Sequence, residues 1–449
     1  MSELKWIWLS QKCGVGSGDI VTLISRCADI EDIYGFDYDA YIRLGVSERG
    51  ADRLCDKSLD GACQILEWCG KNSVSILTYG DKRYPRQLRL LKNPPAVLYY
   101  VGRLPDFDRE LCISVVGTRK MSEYGMKSAY KIAYELAYAG AVTVSGMALG
   151  IDGVAACASI AAGGKTVAVL GCGIDIVYPK EHARLKKLIS EHGAIITEYP
   201  PSTEPRGYNF PMRNRIISGL SAGTLVVDAP VGSGALITAK NAILQGKDIY
   251  AVPGNIDGEN NSGTNGLIRD GAAAVVCGRD IIKNYAYMYP ETVSMQRLLR
   301  AESQSEFDSS QLVRMKVGMR ISKPANAEIP NEKITPREDK PTDAFETLRL
   351  KASREITGKS ENKNPLPEKE LPRDEKNPVE ERHDESKKVL ETLTPRQREI
   401  FSEMPMDKPV TLDYFIQSGY TMGEVMSTLT VLEIRGLISS LPGALYIRR

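Results

Sequence analysis

From residue 110 to about 287 the chain alternates short apolar runs with amphipathic stretches of helical period. The apolar runs fall at 112–116, 141–144, 166–170, 194–197, 224–227, 248–252 and 272–276. Residues 127–138, 153–162, 182–191 and 234–244 carry the helical pattern. Short apolar runs that lack polar alternation, separated by helices, predict a parallel sheet covered on both faces. The expected fold class is α/β, with an extended Rossmann-like parallel sheet as its core. Ligands of such sheets sit beyond the carboxyl ends of the strands.

The flanks read differently. Residues 1–75 show short helices with turn breaks, and Ile20 to Ile24 follow Gly14-Val-Gly-Ser-Gly18. A Gly-x-Gly between helices has the look of a helix-hairpin-helix (or SAM-like) module, whose amides can touch DNA phosphates. This stretch holds 8 Lys/Arg against 12 Asp/Glu, a net of −4, which favours a structural or protein-contact role. An extended, proline-broken segment, 76–109, leads into the sheet and completes a 76–287 domain. After residue 289 only Phe307 and Phe345 are aromatic before 388, and 16 of the 28 residues from 361 to 388 are charged. Residues 288–390 are therefore expected to form a disordered charged linker.

Residues 391–449 fold again. Thr394-Pro395 opens a helix. Helical runs at 396–404, 411–417 and 422–434, then two short strands, have the order of a winged helix. The 422–434 run contains Glu424 and Glu433 and no Lys or Arg. That is poor equipment for a DNA groove, so a protein-contact or regulatory role is expected.

A chain of 449 residues accommodates several domains, and a net charge of +1 confines any polyanion binding to a local patch. Nine cysteines without a C-x-x-C pair, and three histidines, offer no zinc cage. They read as reduced thiols of a cytoplasmic protein. No run approaches the ~20 apolar residues of a membrane span. No cofactor or metal is expected.

Candidate chemistry begins at Arg119, in Ser114-Val-Val-Gly-Thr-Arg119. It leaves a buried strand through the turn Gly117-Thr118, where a helix begins. A guanidinium beside free backbone N–H groups suits a phosphate. Similar turns recur at Ser145-Gly146 to Gly150, at Gly171-Cys-Gly173 and at Gly232-Ser233-Gly234. In Phe210-Pro-Met-Arg213-Asn214-Arg215 a ring lies beside two guanidiniums, and Lys180 adds a cation. A base on such a ring is worth roughly 1–3 kcal/mol, the pattern of single-stranded nucleic-acid sites. The competing reading has Phe210 stapling its helix to the core and the arginines paired with Glu198 or Asp228. Asp152 and Asp175, beside Gly turns, read as a helix cap and as an organiser of Tyr178-Pro179-Lys180. Gly163-Gly-Lys-Thr166 is no P-loop, because Ser159 stands at the first Gly position and a strand follows. No acidic residue follows Ser145-Gly146 to hold a ribose, which argues against a nicotinamide dehydrogenase.

In order along 110–280, Gly117-Thr-Arg119, Ser145-Gly-x-Ala-x-Gly-Ile-Asp152, Gly-x-Gly173-x-Asp175, Tyr178-Pro179, Phe210-Pro-x-Arg-Asn-Arg215, Ser233-Gly-x-Leu-Ile-Thr238 and Ala251-Val-Pro-Gly254 resemble the DprA (Smf) DNA-processing family. The resemblance implies a non-catalytic protein that binds single-stranded DNA without sequence preference. Such a protein protects incoming strands in natural transformation, loads the RecA recombinase and acts as a homodimer. It implies phosphate contacts at Arg119, Lys180 and around Arg213, Asn214 and Arg215, with Phe210 as the base-stacking ring. The alternative is a phosphoribohydrolase-like enzyme on the same fold. That chemistry needs a glutamate where this chain has Thr238.

Overall fold

The structure, a computed structural model, describes residues 2–318 apart from Ala28, Glu306 and Asp308, and part of 394–448. One nine-stranded sheet dominates: β1 (Ser75–Thr78), β2 (Val97–Gly102), β3 (Cys112–Val116), β4 (Val142–Ser145), β5 (Thr166–Leu170), β6 (Gly193–Thr197), β7 (Gly223–Val226), β8 (Asp248–Ala251) and β9 (Ala273–Ala274). Its order is β1-β2-β6-β5-β4-β3-β7-β8-β9. Strands β3 to β9 run parallel. The lead-in segment makes the sheet mixed, because β2 pairs antiparallel with β6 (Tyr99 opposite Thr197) and β1 antiparallel with β2. An antiparallel edge on a parallel sheet is a common arrangement.

Six short helices precede the sheet: α1 (Ser2–Cys13), α2 (Gly18–Arg26), α3 (Ile30–Gly35), α4 (Tyr38–Arg43), α5 (Glu48–Cys55) and α6 (Asp60–Lys71). A single turn, α7 (Arg86–Arg89), joins β1 to β2. The crossovers are α8 (Glu123–Ala139), α9 (Ile151–Ala161), α10 (Ala183–His192), α11 (Asn209–Gly219), α12 (Gly234–Leu244) and α13 (Ser262–Arg269). Helices α8 to α10 cover one face with Leu136, Val154 and Leu185, while α11 to α13 cover the other with Ile216, Ala239 and Leu267. Trp6, Trp8 and Leu9 of α1 join the first of these cores, so the N-terminal helices share one apolar interior with the sheet. Local signals explain the longest crossover. Ser122 accepts the Gly125 N–H at 2.9 Å, and Gly140 ends α8 at φ +106°, a conformation that suits glycine.

The expected linker from 288 onward is corrected at its start. Helix α14 (Arg279–Ile282) still belongs to the expected 76–287 domain, but beyond it α15 (Met295–Glu302) and α16 (Ser309–Arg314) are folded, and Leu298, Ala301, Leu312, Met315 and Val317 are buried. The fully buried Glu135 of α8 accepts the Ser305 hydroxyl at 2.9 Å and the Gly278 N–H at 2.6 Å, tying this return segment to the core. Scarcity of aromatic residues was a misleading signal here, because aliphatic side chains do most of the packing, joined by Phe307 edge-on to Tyr130. Residues 319–393, the rest of that expected linker, lie outside the described residues.

The chain divides into two units. The second contains α17 (Pro395–Glu403), β10 (Val410–Thr411), β11 (Ile438–Leu441) and β12 (Leu445–Arg448), with sheet order β10-β12-β11. Thr394 and Gln397 form a reciprocal capping box with Pro395 at the first turn, and Ile400, Phe415 and Leu429 are buried. The expected helical runs at 411–417 and 422–434 fall largely outside the described residues. Among the described residues no helix is long and apolar enough to cross a membrane, and no His/Cys/Asp/Glu cluster is placed to hold a metal.

The return segment gives a stability prediction. Leu298→Ala removes a fully buried side chain and is expected to cost about 2–5 kcal/mol in urea unfolding, at unchanged m. An unshifted midpoint would show that α15 does not pack on the core.

Candidate nucleic-acid interface

After β3 the chain builds outward through β4, β5 and β6, then returns to place β7 on the other side of β3. The strand-end loops diverge at that switch point and leave a crevice. It is a cleft of about 640 Å³, walled by Gly117, Thr118 and Arg119 after β3, Phe210 at the start of α11, and Ser233 and Gly234 at the start of α12. A recess of about 90 Å³ adjoins it beside Gly171, Tyr178 and Phe210.

An aromatic–cation cluster stands in the cleft. The guanidinium carbon of exposed Arg119 is 5.3 Å from the Phe210 ring centroid, and that of Arg213 is 5.9 Å from it. Tyr178 stacks on Phe210 at 5.3 Å with 30° between the planes. Gly171 admits the ring edge, since a Cβ there would lie 2.9 Å from Phe210 Cδ1.

Arg213 itself is buried. Its Nη1 donates to the Gly146 carbonyl at 3.0 Å and to the Val169 carbonyl, and Nε donates to Asn214 Oδ1 at 3.2 Å. Burial draws its pKa down to about 10 against the charge of Asp152, so it stays cationic at neutral pH. Asp152 accepts the Gly146 N–H at 3.0 Å and the Ala148 N–H at 3.3 Å. Burial raises this carboxyl, opposed first by the Arg213 charge and then by those amides. Gly150 stands at the N-cap of α9, so Asp152 organises the loop before the helix and does not cap it.

Several expected phosphate contacts are corrected. Arg215 donates from Nη2 to both Glu198 oxygens at 2.9 and 2.8 Å, in a buried pair, as the competing reading had it. Five residues along α11 from Phe210, it lies on another side of the helix. Three turn amides are already engaged: Gly146 by Asp152, Gly150 by the Gly318 carbonyl at 3.3 Å, and Gly173 by the Thr203 carbonyl at 2.8 Å. Ser145 is buried with its hydroxyl donating to the Val115 carbonyl at 2.8 Å. Lys180 is not among the corrected contacts: it is exposed at the start of a short 3-10 turn, two residues after Tyr178 of the cleft wall.

The mouth of α12 differs from those turns in being sterically open, although the Ser233 N–H donates to the Pro230 carbonyl at 3.0 Å and the Ala235 N–H to the Ser233 hydroxyl at 3.4 Å. Nothing lies within 4 Å of a Cβ built at Gly232 or Gly234, and the first turn of α12 holds no acidic residue. The positive end of the helix dipole therefore faces the cleft. Asn214 braces this mouth by donating to the Gly234 carbonyl at 3.4 Å.

Sequence reasoning passed over Tyr178, which it grouped with Asp175. Asp175 instead accepts the Ser202 N–H at 2.8 Å. The overlooked signal was an aromatic two residues before Lys180 and next to a Gly turn. The Gly14-x-Gly16 loop is also accounted for: a Cβ on Gly16 would meet Met212 of α11 at 2.5 Å, so it packs against protein.

Residues 75–286 match the DNA recombination-mediator protein A family, and residues 378–444 match the DprA winged helix domain. The DNA processing protein DprA of Streptococcus pneumoniae is 40% identical over 215 residues, 48% of this chain and 74% of that protein. Protein Smf of Synechocystis is 30% identical over 456 residues, 99% of this chain and 98% of that protein. The X-ray structure of the Streptococcus pneumoniae protein has a TM-score of 0.56 at 31% identity, covering 62% of this chain and 97% of that one.

The ion pair and the exposed cation should separate in unfolding experiments. Glu198→Gln strands the buried Arg215 charge and is expected to cost about 3–5 kcal/mol. Arg119→Ala is expected to stay within about 0.5 kcal/mol of the unsubstituted protein. Equal urea midpoints for the two variants would show that the pair does not hold α11.

Proposed function

This chain belongs to the DNA recombination-mediator protein A family, the DprA or Smf proteins, and on that premise we propose that its cleft holds single-stranded DNA as a non-catalytic clamp. One observation carries the reading: exposed Arg119, the Phe210–Tyr178 rings and the open mouth of α12 converge on one crevice at the switch point of the sheet. Arg119 and the α12 mouth meet phosphates, and the rings meet bases. Counterions released from the strand then drive association. Buried Arg213, compensated by Asp152, holds the wall behind them.

Protection of incoming strands, delivery to RecA and action as a homodimer belong to the same proposal, and they suit modest affinity per subunit strengthened by avidity. Support for a binding role over a hydrolytic one comes from Asp152 and Thr238. The Asp152 carboxylate in the cleft wall is engaged by two amides and by the Arg213 charge. Thr238, buried in the same wall, occupies the position where a phosphoribohydrolase-like enzyme has its glutamate.

A salt titration with oligo-dT tests the reading. Arg119→Ala is expected to weaken binding several-fold and to flatten the slope of log K against log salt by about 0.7, the contribution of one phosphate contact on a single strand. Identical titrations for the variant and the unsubstituted protein would remove the cleft from consideration.

A further inference from the structure

We infer that Tyr178 supplies the open stacking face of the cleft: a base of the bound strand lies on Tyr178, and Phe210 is the fixed inner ring beneath it. The inference rests on the reading of the cleft as a single-strand site and adds a residue to it.

The Phe210 ring is already surrounded. Tyr178 lies against it at 5.3 Å, the Arg119 and Arg213 guanidinium carbons stand 5.3 and 5.9 Å from its centroid, and its edge abuts Gly171. A half-buried ring with four such neighbours has little surface left for a base. Tyr178 is the complement: one face rests on Phe210, and the residue is 38% exposed. Like Phe210 it lines both the large cleft and the small recess, so the pair stands on the wall between them with Tyr178 as the more exposed ring. Arg119 lines the same two spaces, which puts a phosphate-seeking cation next to the exposed ring.

Tyr208 is the other exposed aromatic nearby, at 65%, but it is outside the cleft lining, and its hydroxyl accepts from Arg206 at 3.3 Å. The pairing with Phe210 also favours Tyr178 on entropic grounds. An offset aromatic stack is a favoured geometry, and a ring already held in one loses little freedom when a base arrives.

The test measures binding of the full-length protein to fluorescently labelled oligo-dT and to an abasic oligomer of equal length. Tyr178→Ala is expected to weaken oligo-dT binding by about 5- to 150-fold, the range for loss of one stacked base, with an unchanged salt slope. Its affinity for the abasic oligomer is expected to equal that of the unsubstituted protein. Tyr178→Phe is expected to bind both oligomers normally. Phe210→Ala added to Tyr178→Ala is expected to bring no further loss, because the inner ring acts through the outer one. Photocrosslinking of an iododeoxyuridine oligomer to the unsubstituted protein is expected to mark the peptide containing Tyr178.

Normal oligo-dT binding by Tyr178→Ala overturns the inference, as do equal losses on oligo-dT and abasic oligomers, or a crosslink confined to Phe210. Each of these leaves the cleft as the single-strand site. Failure of the unsubstituted protein to bind either oligomer removes the parent reading, and this assignment with it.

Discussion

A guanidinium enclosed at the ends of parallel strands must find acceptors, and the way Arg213 finds them organises the site. Its bonds to the Gly146 and Val169 carbonyls tie the loop after β4 and the end of β5 to α11. The same requirement explains a glycine. A Cβ at position 146 would stand 2.6 Å from Arg213 Nη2, so any side chain there would displace the cation. Asp152 follows as the compensating charge. By taking the Gly146 and Ala148 amides, it fixes the loop whose carbonyl Arg213 needs. Phe210, three residues before Arg213 on α11, is thereby held at the mouth of the cleft. Buried charge pairs are costly to assemble and costlier to break, which makes the cluster rigid.

The alternation of apolar runs and amphipathic stretches was enough to read the parallel sheet, because period and run length report burial directly. The antiparallel lead-in was less legible, since strand direction depends on where the chain arrives and leaves little trace in composition. Within the site the limit was geometric. Arg213 and Arg215 are two letters apart and look equivalent, yet residues three and five after Phe210 point to different sides of a helix. Arg213 stays by the ring, whereas Arg215 turns to Glu198. Turn glycines likewise promise free amides only until the acceptors are known. The acceptor for Gly146 was in the same motif, six residues on, and its role as an amide ligand needed coordinates to be seen.

The N-terminal helices and the return segment make the same point from outside the cleft. A glycine loop that could have met phosphate is closed by Met212, consistent with the −4 charge of residues 1–75. The segment after Tyr289 holds a single aromatic among its described residues, Phe307, yet places Leu298, Ala301, Leu312 and Met315 at helical spacings on the core. Helical periodicity was thus a better guide to burial than aromatic content, even in a stretch next to a strongly charged one.

Two kinds of cation divide the electrostatic work. Arg213 is fixed, desolvated and compensated by Asp152, so its charge serves to hold the wall, while exposed Arg119 can follow a flexible ligand. This division bears on whether the proposed site would distinguish one base from another. Base reading needs a donor or acceptor held toward the base, and Asn214, the amide side chain in the wall, is bonded to its own neighbours, accepting from Arg213 and donating to the Gly234 carbonyl. Asp152 is engaged by two amides. What faces the ligand is then an arginine, a helix mouth and an aromatic stack, groups that respond to phosphates and to the π-face common to every base. In the proposed site, tolerance of sequence would follow from the way Asn214 and Asp152 are committed to their neighbours.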